Sequence, residues 1–196
     1  YWIYDGIQMF IMMQYADEYF PELKMTGNVA NLKILKSYHF INLDFNQQYN
    51  YLYMLMARKN LDQALNEPKN RLIKFNEQIA SKYRAGLSLK YLNNYLGNDI
   101  VLSSIKEFIQ ENKYLESNQR QFETILEKNT SEDINWFFRT IVETRELIDY
   151  KFGKVVKTKD SITINVINKT NINAPISLFQ LKNNEVVNKI WLNNIT

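Results

Sequence analysis

Side chains suited to catalysis are few in this chain. It holds a single histidine, no cysteine and five glycines in 196 residues, and this scarcity decides several functional classes at once. A catalytic zinc takes three protein ligands from His, Glu, Asp or Cys, plus a water. With one His, no Cys and no HExxH, the chain by itself cannot assemble such a centre. His39, in SYHFINLD, stands among apolar neighbours, where a lone imidazole more often serves the core than a metal. No GxSxG elbow, Walker loop or GxGxxG turn occurs, which removes serine-nucleophile, P-loop and dinucleotide chemistry. The neighbouring carboxylates Asp17-Glu18 and Glu132-Asp133 are the residue types of an acid–base pair, yet at helix starts and ends such acids usually cap or face solvent. Asp5, at the head of an apolar helical pattern, reads by position as an N-cap worth about 1 kcal/mol. Tyr83, on a long helix, reads as a core aromatic.

The elements that must position these residues follow from periodicity. From Asp5 to about Tyr19, Ile7, Met9, Phe10 and Met13 recur at helical spacing, and Pro21 stops the pattern. After a loop with Gly27 and a mixed segment around Leu32 to Phe45, the run from Tyr51 predicts a second helix ending near Asn60. A loop around Pro68 leads to a long helix from Asn76 to Leu96, carrying Ile79, Tyr83, Leu87, Tyr91 and Leu92 and ended by Gly97. Asn98-Asp99 starts the next helix, with Ile100, Val101, Ile105, Phe108 and Ile109, and another spans Ser117 to about Lys128. A last helix, Ser131 to about Thr144, opens with a Ser cap and an acidic first turn. Near Tyr150 the period changes to two, with alternation in ITINVIN and further strand-like runs in ISLFQL and VVNKIWL between Asn-rich turns. A domain boundary is therefore expected at about 148–152, dividing a helical part, 1–149, from a β part, 150–196, with room for some four strands. So few strands leave an edge unpaired, so the β part is expected to be incomplete.

The 24 Lys and Arg against 21 Asp and Glu leave a net charge of +3, too small and too evenly spread for the basic stripe of a nucleic-acid binder. The stretch IQMFIMMQYA falls short of the roughly 20 apolar residues a span needs, so no membrane span is expected. Lack of cysteine excludes disulfides without reporting the compartment. The opening YWIYDG, without an initiating Met, is expected of a chain that starts inside a larger protein or follows processing.

Two segments carry a resemblance. WIYDG at 2–6, followed by a helix with Phe10, is similar to the WxxEG segment of gluzincin zinc aminopeptidases, the aminopeptidase N-like metallopeptidases. NEQIASKYRAGLSLKYLNNYLG at 76–97 resembles that family's Tyr-x-x-Gly helix, with Arg84 and Ala85 replacing its commoner residues. DQALNEP at 62–68 is similar to a loop that precedes the tyrosine in bacterial members, and the stretch from Ile105 to Phe152 looks like the family's closing helices and its entry to a β-sandwich.

The resemblance covers nearly the whole chain. It implies the helical second half of a thermolysin-like catalytic domain, mainly α, followed by the first strands of a β-sandwich. Asp5 then falls on the third zinc-ligand position, where the family has Glu, shortening the reach by about 1.5 Å. Met12 stands where many relatives carry another Glu. Tyr83 falls on the catalytic tyrosine, whose phenol donates to the oxyanion formed when zinc-bound water attacks a peptide carbonyl. The function implied is that of a hydrolase removing N-terminal residues from a peptide substrate. Zinc would be held by the parent protein, with HExxH in an upstream part, and the isolated chain is expected to be inactive. The alternative, raised by Asp in place of Glu, is a non-catalytic relative acting as a binding or structural module.

Overall fold

A computed structural model describes residues 1–27, 43–113, 115–159, 161–170 and 172–193. His39 and most of the mixed segment before Phe45 lie outside them. The described residues are mainly helical with four strands, and the contacts divide the chain into two compact units, Tyr1–Glu132 and Asp133–Thr196.

Among the described residues the first unit holds five α-helices: α1 Trp2–Tyr19, α2 Gln47–Arg58, α3 Ser81–Leu96, α4 Ile100–Glu111 and α5 Gln119–Asn129. In α1 the buried residues Ile3, Ile7, Phe10 and Met13 follow the helical repeat, and the helix ends at Phe20, which adopts φ −137°, ψ 53° ahead of Pro21. At the far end of α3, Gly97 takes φ 65° and its N–H bonds to Asn93 O at 2.9 Å. Helices α1 and α3 form the main packing of the unit. They run in the same direction: Tyr1 meets Glu77, Gly6 meets Ala85 and Asp17 meets Lys90. Glycine is required where the two backbones approach. A Cβ on Gly6 would lie 2.9 Å from Ala85 Cβ, and one on Gly86 would lie 2.5 Å from Met9 Cβ. Helix α2 joins through Asn46, whose Nδ2 donates to Met13 O at 2.8 Å and Asp17 Oδ1 at 2.7 Å. Helices α4 and α5 pack through Phe108 and Phe122, whose rings meet edge to face 5.3 Å apart.

Several helix starts differ from expectation, three of them where a side chain bonds differently. The long helix begins at Lys74 and takes one wide turn, Asn76–Ala80, where the buried Asn76 Nδ2 donates to Leu61 O at 2.8 Å and Gln63 Oε1 at 2.9 Å. Helix α5 starts two residues late because Asn118 and Gln121 form a reciprocal capping box. Ser117 is engaged elsewhere, 2.5 Å from the Tyr4 hydroxyl. The expected Ser131 cap is not formed. Thr130 Oγ1 accepts from Glu132 N at 3.1 Å, a local turn that competes with helix, and Asp133 Oδ1 accepts from Asn135 N at 2.9 Å instead. The chain then enters a wide helix, Phe137–Val142, with Phe137 edge-on to both Trp136 and Phe138.

The strands of the second unit are β1 Tyr150–Lys157, β2 Ile162–Asn168, β3 Ile176–Lys182 and β4 Glu185–Leu192. They pair as two separate antiparallel hairpins, β1 with β2 and β3 with β4, each with a bulge. The second hairpin closes on Asn183-Asn184 at φ 53° and 65°, the primed turn that matches strand twist. The Tyr150 hydroxyl donates to Ile172 O and Ala174 O, both at 2.9 Å, tying the first hairpin to the segment before the second. Among the described residues no helix is long and apolar enough to cross a membrane.

Candidate functional site

Tyr83 lies in the first turn of α3, half-buried against a cluster made of Met9 and Met13 from α1 and Tyr49 from α2, with Phe45 and Leu87 beside it. Its ring meets the edge of Tyr49 at a centroid distance of 4.9 Å and 64°. The Lys82 ammonium sits 5.9 Å from the same ring. Burial pushes the Tyr49 phenol above its usual value, and the neighbouring Tyr83 adds to the shift. The Tyr49 hydroxyl points to Met12 Sδ at 4.0 Å.

Asp5 is not the cap of α1. The N-cap is Tyr1, without a side-chain capping bond, and Asp5 stands inside the first turn, where the helix dipole still favours a negative charge. It is half-buried, and its charge acts on the Tyr1 phenol. That phenol is raised first by burial, then by Asp5 and by Glu77. The Tyr1 hydroxyl donates to Glu77 O at 2.9 Å, and Lys69 bridges the group, 3.6 Å from Glu77 and 5.5 Å from the Tyr1 ring.

The two candidates are thus carried by the two helices in closest contact. Asp5 precedes Gly6, which meets Ala85, and shares a helix face with Met9 and Met12 at spacings of four and seven. Tyr83 is two residues before Ala85 and packs on Met9. Among the described residues no hydrogen bond joins Asp5 to Tyr83. A cavity of about 260 Å³ opens at the N-terminal end of α1, lined by Tyr1, Trp2, Tyr4, Leu65 and Gln119 among others, and neither candidate lines it. Among the described residues no three His, Asp or Glu side chains stand together as a metal ion needs, so Asp5 offers one carboxylate and the described part of the chain does not complete a zinc centre.

Two features of this neighbourhood were not foreseen. Tyr49, which joins the cluster, precedes the apolar run that marks its helix in the sequence. Arg84, next to Tyr83, is buried with Asp62, the two charges 3.7 Å apart. That separation is too long for a hydrogen bond; the guanidinium donates instead to Gln63 O at 2.8 Å. This pair pins the loop after α2 to α3. No spacing rule links an acid in a loop to a base on a helix 22 positions on, so only the fold reveals it.

Comparison with family models, with curated proteins and with solved structures found no match.

Proposed function

We propose that this chain is the helical second half of the thermolysin-like catalytic domain of a zinc-dependent, aminopeptidase-like hydrolase, followed by strands of a β-sandwich. The reading rests on the ordered WxxDG and Tyr-x-x-Gly segments, and the observation that best supports it is their location on two helices packed through Gly6 and Gly86. In this reading Asp5 gives one carboxylate to a metal shell that upstream residues of the same protein complete. Zinc, when bound, supplies a water acidified to near neutrality and polarises the scissile carbonyl. Tyr83 supplies a preorganised O–H donor for the oxyanion, its ring held by the Tyr49 and Met9 cluster so that little reorganisation accompanies the developing charge.

The test uses the full-length protein. Near-stoichiometric zinc after gel filtration, falling in Asp5→Ala, supports Asp5 as a ligand. Tyr83→Phe is expected to lower kcat for peptide hydrolysis about 10²- to 10³-fold, as for loss of one oxyanion donor. The second reading, a non-catalytic module, draws on the shorter side chain of Asp5 where the family has Glu. A folded full-length protein without zinc would establish that reading instead.

A further inference from the structure

We infer that Tyr49 is a positioning residue for Tyr83, fixing the direction of its phenol; the inference rests on the proposed role of Tyr83. Tyr49 is only 4% exposed, so neighbours set its ring on every side. Phe45 braces it edge-on at 6.0 Å and 87°, Met9 and Met13 lie against it, and its own ring meets Tyr83 at 4.9 Å. Its hydroxyl reaches α1 at Met12 Sδ, 4.0 Å away, so one side chain of α2 touches both helices that carry the candidate residues. Tyr83, by contrast, is half-buried and has solvent on part of its surface. Removing the edge contact leaves that ring free to adopt a second rotamer, whereas a phenol that donates to a transition state must be aimed before the charge develops. The O–H to sulfur contact is long and weak, so the ring of Tyr49, rather than its hydroxyl, carries the effect.

The experiment places 3-fluorotyrosine at position 83 of the full-length protein and compares Tyr49→Phe, Tyr49→Leu and Phe45→Leu. Tyr49→Phe is expected to keep one narrow fluorine resonance and the wild-type kcat. Tyr49→Leu is expected to give a second or exchange-broadened resonance, beyond the uniform shift from a lost ring current, and to lower kcat about 10- to 100-fold with KM unchanged. Phe45→Leu, at a half-buried position that tolerates change better, is expected to broaden the resonance to a smaller degree and covers the case in which Tyr49→Leu does not fold. A single narrow resonance in folded Tyr49→Leu, or in Phe45→Leu if the former is unfolded, overturns the inference. If Tyr83→Phe leaves kcat intact, the proposed function of Tyr83 fails, and the fluorine spectra still judge whether Tyr49 aims the ring.

Discussion

At the scale of single residues, the most exacting feature is a pair of buried charges beside the candidate tyrosine. Arg84 and Asp62 have side chains 5% and 6% exposed, and their attraction helps to offset the loss of water. Replacing Arg84 with Met leaves the Asp62 carboxylate buried alone and removes the donor to Gln63 O. Such a change is expected to cost about 3–5 kcal/mol in urea unfolding, whereas Arg84→Met with Asp62→Leu should recover most of it, since an apolar pair carries no desolvation penalty. Tyr53 shares this environment: burial holds its phenol above the usual value near 10.0, with Arg84 opposing and Asp62 reinforcing the shift. Because the folded pKa is the higher one, the unfolded chain loses this proton first as pH rises. Stability from Tyr53 is therefore complete below pH 10 and declines as pH climbs through the folded value. Tyr53→Phe is expected to flatten that part of a stability-versus-pH curve measured by denaturant unfolding; an unchanged slope would assign the decline to other tyrosines.

At the scale of elements, the contact between α1 and α3 makes a sharper demand than any propensity. Gly86→Ala ought to stabilise an isolated helix by about 1 kcal/mol. Here the added methyl would sit 2.5 Å from Met9 Cβ, an atom one bond from backbone that cannot swing away. The clash should dominate, and a net loss of about 1–3 kcal/mol is expected in a thermal or urea melt. Helices were legible where apolar side chains recur on one face, as in α1 and α4, and where a stop is chemically marked, as by Pro21 and Gly97. They were misread where polar side chains decide the geometry. The first turn of α2, from Gln47, has no apolar stripe to reveal it. The wide turns at Asn76–Ala80 and Phe137–Val142 follow from hydrogen bonding and packing that no period in the sequence encodes. Of the candidate site, Asp5 and Tyr83 could be named from local motifs, but Tyr49 and the Arg84–Asp62 pair depend on contacts between separate elements.

At the scale of the whole molecule, the two units are built on different terms. In Tyr1–Glu132, large apolar side chains such as Phe10, Met13, Leu89, Phe108 and Phe122 are fully enclosed. In the strands of Asp133–Thr196 the alternation that predicts one buried face is present, yet Phe152, Val155 and Ile162 on the first hairpin, and Phe179, Leu181 and Val186 on the second, are all more than half exposed. A two-stranded hairpin with an uncovered face has little beyond its ladder to resist opening. Native-state hydrogen exchange should therefore be slowest at amides of α3 and α4 and faster by orders of magnitude along β1 to β4, with Tyr150→Phe accelerating it further by removing the donor to Ile172 O and Ala174 O. If the hairpin amides instead exchange as slowly as those of α3, the uncovered faces are not the weak point of the chain, and the strands draw on stabilisation that their own ladders do not supply.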